Sequence, residues 1–398
     1  MLYLLSIVVF FLIFSTIILI HECGHFFSAR RHGVHVHEFG LGIPPKAGVI
    51  ATDKQGCEYT LNWIPFGGFV RLEGEDPTIK VKDKNKAFYS KSILARMEIV
   101  LAGVFMNFVL AIGIFTLIFS FGARPIMMSA EEVKSYVDQG VVEFEEGLKV
   151  TGFIEESIAQ DGGVETGDVL LSVNNKPIHY IQEVLDIQET ATEPVLYVFR
   201  RIGYEGLEEG ESAKDLTDEE KAQREIITTF EVFFDMTDKK SLGIYFPSMS
   251  QFKHVHYIKM SPDKAFIYAL DRSWEISIAT VKGLYGLVKS VFHASLPQGM
   301  AGPVGIAAMT HSIVAKGSVT GVLAFMALLS LSIGVLNLLP IPALDGGRFF
   351  FLLIEAIFQR PVPQAVEEVL HVAMYFCLLA LIFVVTANDI YQLISSLF

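Results

Sequence analysis

Long apolar stretches alternate with two blocks of polar sequence along the chain. Four stretches carry no charged residue and are long enough to cross a bilayer: Met1–Ile20 (with its helix continuing to Ala29), Ile99–Ala123, Gly317–Leu344 and Val372–Ala387. Twenty helical residues cover about 30 Å, which is the thickness of the hydrocarbon core. The pattern therefore predicts an α-helical polytopic membrane protein with about four transmembrane helices.

The two polar blocks between these stretches differ in charge. Residues 28–98 hold eleven Lys/Arg against eight Asp/Glu, whereas residues 122–297 hold seventeen against thirty. Because positive charge beside a membrane stays on the cytoplasmic side, the first block is predicted to face the cytosol and the second the outside. Both chain termini then lie outside.

A metal-binding pattern, His21-Glu22-Cys23-Gly24-His25, begins where the first apolar stretch ends. Residues four apart share a helix face, so His21 and His25 can present their imidazoles to one zinc ion. Glu22 is placed to deprotonate an attacking water without taking a coordination position. The alternative, a pair of buried and hydrogen-bonded histidines, is weak because such groups are costly in hydrocarbon.

Asp345 is the predicted third protein ligand, with water in the fourth position. By parity the first and third spans run in the same direction, so His21, His25 and Asp345 fall at matching depth near the cytoplasmic ends of their helices. The sequence Asp345-Gly346-Gly347 is also typical of a turn or helix cap after a helix broken by proline, and the two interpretations are compatible.

Three residues before Asp345 are candidates for substrate handling. Pro340 and Pro342 each remove a backbone donor and open space beside Asp345. Asn337, a polar residue in the third span, either bonds the exposed backbone of an unwound substrate or makes a helix–helix hydrogen bond.

The polar blocks are predicted to contain β-structure. His35-Val36-His37 and Tyr59–Trp63 have strand patterns in residues 31–98. His35 and His37 are possible rival ligands, but we favour a polar strand face because the first ligand set is complete. In residues 124–264, a compact β-rich domain is predicted at about 143–246, with a helix at Ile181–Glu189 and pairing of Val195–Arg200 with Ile226–Phe234.

The remaining segments complete a predicted division of the chain. Ala265–Phe292 has the pattern of an amphipathic helix on the outer membrane surface. The predicted segments are 1–30 (first span), 31–98 (membrane-associated β region and basic loop), 99–123 (second span), 124–264 (outer segment), 265–316 (surface helix and re-entry segment), 317–360 (third span and a following helix) and 361–398 (fourth span).

Composition agrees with a membrane protein that carries one soluble domain. The chain is 52% hydrophobic, yet its net charge is −13. Its three cysteines lie far apart and form neither a disulfide framework nor a zinc ribbon. The N-terminus lacks a basic region before the apolar stretch, so we expect a retained helix and no signal peptide.

Several of these segments resemble the site-2 protease family of intramembrane zinc metalloproteases, and most closely its bacterial regulator-of-sigma-E type. The resemblance rests on H-E-x-x-H in the first span, Asn337-Leu338-Leu339-Pro340-Ile341-Pro342-Ala343-Leu344-Asp345-Gly346-Gly347 in the third, Ala102-Gly103-Val104-Phe105-Met106-Asn107 in the second, and Asn62-Trp63-Ile64-Pro65-Phe66-Gly67-Gly68-Phe69-Val70. The last segment resembles a membrane-dipping β-hairpin whose strands would align an extended substrate, which makes Gly67 and Gly68 candidate substrate-binding residues.

A further resemblance, to PDZ domains, lies in the outer segment. It is carried by the run Gly167-Asp168-Val169-Leu170-Leu171-Ser172-Val173-Asn174-Asn175-Lys176-Pro177-Ile178 and implies a single extracytoplasmic PDZ-like α+β domain.

The resemblance implies an intramembrane endopeptidase of the bacterial inner membrane, with one Zn²⁺ per chain. Its expected substrates are single-span membrane proteins already trimmed by a site-1 protease, such as anti-sigma factors, or signal-peptide remnants. The PDZ-like domain would read a new C-terminus or exclude bulky ectodomains, and no nucleic acid is expected. A catalytically silent membrane scaffold with a PDZ domain and a metal transporter are the alternatives, and the intact Glu22 argues against both.

Overall fold

The chain divides into two structural units. Unit 1 comprises Met1–Met128 and Ile258–Phe398, and unit 2 comprises Ser129–Tyr257. The computed structural model describes residues 1–75, 81, 83–127, 130–154, 157–204, 225–235, 242–247, 249–292 and 302–395. Its elements in chain order are α1 (Leu2–Arg31), β1 (Val36–Thr52), β2 (Glu58–Leu72), α2 (Ile93–Phe121), α3 (Ala130–Asp138), β3 (Val142–Phe144), β4 (Leu148–Lys149), β5 (Gly152–Phe153), α4 (Ile158–Asp161), β6 (Val169–Val173), β7 (Lys176–Pro177), α5 (Ile181–Thr190), β8 (Val195–Tyr204), β9 (Glu225–Phe234), β10 (Ile244–Tyr245), β11 (Phe252–Val255), α6 (Pro262–Phe292), α7 (Pro303–Ala315), α8 (Val319–Leu338), α9 (Asp345–Phe358) and α10 (Gln364–Ser395).

Among the described residues of unit 1, four helices are long and apolar enough to cross a membrane: α1, α2, α8 and α10. The prediction of about four spans is therefore confirmed, although the helix ends differ. The second helix begins at Ile93, six residues before the charge-free stretch, because the Ser92 hydroxyl caps it by accepting a hydrogen bond from Ala95 N–H (3.3 Å). The third ends at Leu338, because a proline follows at position 340.

Small residues bring the helices of unit 1 close together. Helix α6 packs against α2 and α8, and Ala265, Ala269 and Ile276 lie in the same buried cluster as Phe115 of α2 and Leu331 of α8. Alanines four residues apart form a narrow stripe that admits a neighbouring helix. The predicted amphipathic helix is thus one flank of the helical bundle; its location on the outer membrane surface stays a prediction.

Helix α7 occupies the described part of the predicted re-entry segment. Its N-terminal amides are satisfied from α10, where the Asp389 carboxylate accepts hydrogen bonds from Gly302 N–H (3.2 Å) and Gly305 N–H (2.8 Å). A carboxylate at this position also interacts favourably with the helix dipole. The pair fixes the end of one apolar helix against the side of another. Residues 293–301 of the predicted segment lie outside the described residues.

The β region of unit 1 is a sheet of bent strands. Residues 36–41 of β1 pair with residues 68–72 of β2 on one side, and residues 38–41 pair with residues 58–61 on the other. The rest of β1 folds back so that residues 46–52 pair with residues 58–62. Large apolar side chains remain exposed on this sheet, notably Trp63 (72%) and Ile50 (60%). This exposure is the physical basis for expecting the region to be membrane-associated.

Unit 2 is an α+β domain with its own core. Its main sheet has the strand order β4-β6-β8-β9, with β7 paired to β6. Strands β8 and β9 pair in an antiparallel arrangement from Val195–Phe234 to Tyr204–Glu225, which confirms the predicted pairing. The core residues include Leu170, Tyr197 and Phe199, all fully buried, and burial raises the pKa of Tyr197 to about 12. The PDZ resemblance and the extracytoplasmic location remain predictions.

Candidate metal centre

The two histidines of the H-E-x-x-H pattern lie in the last turns of α1, which continues to Arg31. Their imidazoles face the same side of the helix, with Nε2 of His21 3.1 Å from Nε2 of His25. His21 is 7% exposed. Helical spacing alone produces this pairing, as the sequence predicted.

Two glycines bring α1 and α2 into backbone contact at this point. A Cβ at Gly24 would lie 2.2 Å from the carbonyl oxygen of Ala102, and a Cβ at Gly103 would lie 2.3 Å from His25 Nε2. Both distances are far below van der Waals contact. Because Gly24 has no side chain, the backbone of α2 can approach α1 closely. The missing side chain of Gly103 leaves the space that the two imidazoles occupy.

Asp345 reaches the histidines from the first turn of α9. The helix begins immediately after the loop 339–344, and its first turn packs directly on that loop. A Cβ at Gly346 would lie 2.1 Å from the Leu339 carbonyl oxygen, and a Cβ at Gly347 would lie 2.4 Å from that of Ile341. The two glycines thus permit the sharp return of the chain that brings the Asp345 carboxylate to the end of α1.

The donor atoms of His21, His25 and Asp345 have the spacing of zinc ligands. Asp345 Oδ2 lies 3.0 Å from His21 Nε2 and 3.4 Å from His25 Nε2. A tetrahedral zinc ion with bonds of about 2.0–2.1 Å holds its ligand atoms about 3.3 Å apart. The three side chains therefore fit zinc, and the structure brings together the whole predicted ligand set. The assignment of these residues as ligands stays a prediction.

Further contacts orient both imidazoles from behind. His25 Nδ1 lies 2.8 Å from the Ile99 carbonyl oxygen and donates to it, which leaves Nε2 with a lone pair available for a metal ion. His21 Nδ1 lies 3.3 Å from the Asn107 amide nitrogen, and Asn107 Oδ1 is buried with no hydrogen-bond partner among the described residues. Turning this amide by half a turn brings the oxygen to His21 Nδ1, where it accepts the ring proton. Ser330 Oγ holds the Asn107 backbone carbonyl at 2.9 Å.

The electrostatics of the cluster favour the ionised form of Asp345. Burial by itself would raise the pKa of this carboxyl group, but the adjacent His21 and His25 imidazoles outweigh burial and hold the pKa well below its usual range. An ionised carboxylate is the form that coordinates a metal.

A cavity of about 290 Å³ opens beside the three side chains. Glu22 lines it together with the candidate ligands, so the predicted base shares one space with the predicted metal. The remaining walls come from β2 (Phe69, Val70 and Leu72), the segment between β2 and α2 (Glu75 and Phe88), α2 (Ile99 and Val100), the loop before α9 (Ala343 and Leu344), α9 (Arg348) and α10 (His371).

The five residues proposed for substrate binding lie around this cavity and do not line it in the described part of the chain. Gly68 is the nearest to the chemistry, since a Cβ there would lie 3.8 Å from Glu22 Cγ; a Cβ at Gly67 would lie 3.5 Å from the Ile18 side chain. Asn337 is in the last turn of α8, and Pro340 and Pro342 belong to the loop that follows. Their substrate role stays a prediction.

Several residues at the site were not identified as functional from sequence. Arg348 forms an ion pair with Glu75, which joins α9 to the end of the β region. His371 Nδ1 accepts a hydrogen bond from Ala343 N–H (2.7 Å), and Ala343 has a positive φ of 81°. A non-glycine residue seldom adopts this conformation. The only sequence signal was proximity to Asp345, because the partners lie far apart in the chain.

Comparison with known proteins identifies the family of this chain. A family model described as Peptidase family M50 matches residues 9–381. The chain belongs to peptidase family M50. Zinc metalloprotease RasP of Oceanobacillus iheyensis is 25% identical over 471 residues, which cover 98% of this chain and 99% of the relative. RasP of Bacillus licheniformis is 26% identical over 469 residues, with the same two coverages. This M50 chain is therefore a zinc-dependent metalloendopeptidase with several apolar helices.

Proposed function

We propose that this M50 peptidase cleaves peptide bonds within the transmembrane segments of single-span membrane proteins. The observation that carries the proposal is the position of the candidate metal centre. His21 and His25 belong to α1, a helix apolar enough to span a membrane, and Asp345 meets them there. A hydrolytic centre on such a helix is accessible to substrate segments in or at the edge of the bilayer.

His21, His25 and Asp345 would hold one Zn²⁺ in this scheme, and Ile99 and Asn107 would keep the imidazoles oriented. When bound, zinc polarises the scissile carbonyl and increases the acidity of water. Glu22 takes a proton from the attacking water and later delivers it to the leaving nitrogen. Its side chain lines the same cavity without occupying a ligand position.

Substrate must be unwound before it reacts, because a helix hides its carbonyl groups in i→i−4 hydrogen bonds. Residues 68–72 of β2 pair with β1 on one side, and Phe69, Val70 and Leu72 line the cavity. We infer that an extended substrate adds to this segment by main-chain hydrogen bonding. Gly67 and Gly68 would allow its close approach, Asn337 would bond its exposed backbone, and Pro340 and Pro342 would keep the adjoining loop open.

The proposed setting is the bacterial inner membrane, with the metal centre toward the cytoplasm and unit 2 and both termini outside. The charge difference between residues 28–98 and 122–297 supports this orientation. Unit 2, as a PDZ-like domain, would either bind the end of a substrate already trimmed by a site-1 protease or exclude large ectodomains. Anti-sigma factors and signal-peptide remnants are the expected substrate classes.

The central role of Glu22 is tested by cleavage of a single-span substrate by purified protein in detergent. Glu22→Gln keeps the shape of the side chain but removes the base, so we expect bound zinc to be unchanged and the rate to fall by at least about 10²-fold. Glu98→Gln is the matched control, because Glu98 lies near the same end of α1 and pairs with His32 (2.9 Å) outside the cavity. Undiminished cleavage by Glu22→Gln would exclude the mechanism. Wild type that binds zinc but cleaves no membrane substrate would favour the scaffold.

Orientation is tested independently by labelling in intact cells. A cysteine replacing Lys84 is expected to resist an impermeant thiol reagent added from outside, in a background where Cys23, Cys57 and Cys377 are serine. A cysteine replacing Lys176 of unit 2 should react. The opposite labelling pattern would reverse the proposed orientation.

A further inference from the structure

A second group of potential metal ligands lies at the base of the β region. The side chains are His35, His37 and Glu73, and their ligand atoms all lie within 4.8 Å of one another. His37 Nε2 is 2.8 Å from Glu73 Oε2. We propose that this cluster binds a second divalent cation of the zinc type, separate from the ion expected between His21, His25 and Asp345.

The backbone holds the three side chains at one position. His35 immediately precedes β1 and Glu73 immediately follows β2, on either side of the paired residues Val36 and Leu72. Glu73 N–H donates to the His35 carbonyl oxygen (2.9 Å), which closes this end of the sheet. Residues two apart in an extended chain project to the same face, so His35 and His37 lie side by side. The cluster is therefore preformed by strand register.

The imidazole pair has nearly the same geometry as the pair in the candidate metal centre. The ring centroids of His35 and His37 are 4.8 Å apart with planes at 87°, and those of His21 and His25 are 4.7 Å apart with planes at 82°. One ligand atom from each of His35, His37 and Glu73 lies within 4.8 Å of the others, as required for a shared ion. In each pair a carboxylate oxygen lies within hydrogen-bonding distance of an imidazole nitrogen.

Burial adds an electrostatic reason for a cation here. The Glu73 side chain is 3% exposed and that of His37 is 21% exposed. Burial strengthens the attraction between this carboxylate, which already contacts His37, and a divalent ion, and the histidines would remain neutral ligands of that ion. Two imidazoles and one carboxylate, with water completing four-coordination, are a ligand set that zinc accepts.

The second ion would fasten the β region to the wall of the proteolytic cavity. Glu73 accepts a hydrogen bond at its carbonyl from Phe88 N–H (2.7 Å), and His35 N–H donates to the Lys86 carbonyl (3.0 Å). Leu72, Glu75 and Phe88 line the cavity. An ion bound at Glu73 would therefore restrain the neighbouring cavity residues, Leu72 and Glu75 in the chain and Phe88 through its hydrogen bond. The proposed role of this second ion is structural: it would stabilise the end of the β region and would take no part in hydrolysis.

The test measures zinc stoichiometry, which does not depend on proteolysis. Protein carrying a tag without histidines is stripped with chelator, dialysed against micromolar free zinc and analysed by mass spectrometry of the metal. Wild type should hold about two zinc ions per chain, and Glu73→Gln and His21→Asn about one each. The double variant should hold almost none. His254→Gln/His256→Gln, which alters another pair of histidines two residues apart in unit 2, should keep about two.

A second measurement guards against a misfolded variant. In the His21→Asn background the remaining zinc should raise the thermal unfolding temperature, and adding Glu73→Gln should abolish the zinc-dependent rise without lowering the temperature measured in chelator. His35→Asn replaces Glu73→Gln if the latter does not fold. Wild type with one zinc ion, all of it lost in His21→Asn, would show that His37 and Glu73 form an ion pair only and would overturn the proposal. Failure of proteolysis with two bound ions would contradict the proposed function instead.

Discussion

Substitution of Gly103 tests the packing of the candidate metal centre. It lies on α2, opposite the two histidines of α1. An alanine Cβ at this position would lie 2.3 Å from His25 Nε2 and 2.7 Å from His21 Cε1. Ordinary contact requires about 3.5 Å, so the imidazoles or the helix must move by roughly 1 Å. The atoms in contact belong to imidazole rings that are held at Ile99 and Asn107, and not to the ends of flexible chains.

A displacement of this size is large for a catalytic site. Misplacement by about 1 Å costs about 10²-fold in rate, and loss of ligand orientation costs about 10–100-fold in metal affinity. We therefore expect Gly103→Ala to lower kcat/KM on a transmembrane substrate by about 10²-fold and to lower zinc affinity in parallel. Cleavage of a fluorescent single-span substrate and zinc titration measure the two effects.

Gly113→Ala is the matched control on the same helix, because a Cβ there meets no atom within 4 Å. Replacement of a helical glycine by alanine favours the helix by about 0.5–1 kcal/mol in itself. The control should therefore retain full activity and equal or higher stability. Equal activity and zinc affinity in the two variants would refute the close packing described between α2 and the histidines.

Three further predictions concern groups that position the site and its helices. Asn107→Ala should weaken zinc binding by about 10–100-fold, whereas Asn107→Asp, which still accepts a proton from His21 Nδ1, should restore most of it in a zinc titration. Glu355→Gln breaks the bidentate pair with Arg96, whose two contacts are 2.6 and 3.1 Å long and whose side chains are 18% (Glu355) and 13% (Arg96) exposed. This variant should lower the free energy of unfolding in detergent by about 3–5 kcal/mol. Glu146→Gln, at a side chain that is 79% exposed, should lower it by about 0–1 kcal/mol. Asp389→Ala removes the cap of α7 and should lower the free energy of unfolding by about 1 kcal/mol, detected as faster proteolysis at residues 302–305. An unchanged zinc affinity, unfolding free energy or proteolysis rate would contradict the contact that the variant removes.

The sequence predicted the candidate metal centre better than its surroundings. His21 and His25 are four residues apart on one helix, and charge asymmetry together with helix parity brought Asp345 to the same end of the bundle. Asn107 was recognised only as part of a family segment, because its contact with His21 depends on how α1 crosses α2. That crossing is set by glycines whose partners are distant in the chain.

The β region shows why other features could not be predicted. The alternation of polar and apolar residues in His35-Val36-His37 placed the two histidines on one strand face. A polar strand face was a simpler interpretation of them than a metal site. Glu73 joins them only because β1 and β2 bend and bring Val36 opposite Leu72. Strand register over such a separation is fixed by the whole sheet and not by local pattern. The exposed apolar side chains of this sheet were likewise not apparent from composition.

Helix ends also differed from the apolar stretches for identifiable reasons. Capping by Ser92 extends α2 into polar sequence, and Pro340 ends α8 before the apolar stretch ends. The fourth helix extends beyond the predicted 16-residue apolar stretch to Gln364–Ser395, because charged residues are tolerated at the ends of a span.

The proposed cleavage site lies inside the membrane-spanning segment of the substrate. It is tested most directly by mass spectrometry of both products after cleavage of a single-span substrate by wild-type protein in lipid vesicles, with Glu22→Gln as the blank. We expect one principal scissile bond within the apolar span, toward the end that corresponds to His21, and no product from Glu22→Gln. Cleavage confined to the soluble flanks, or equal cleavage of an unfolded soluble protein, would contradict it.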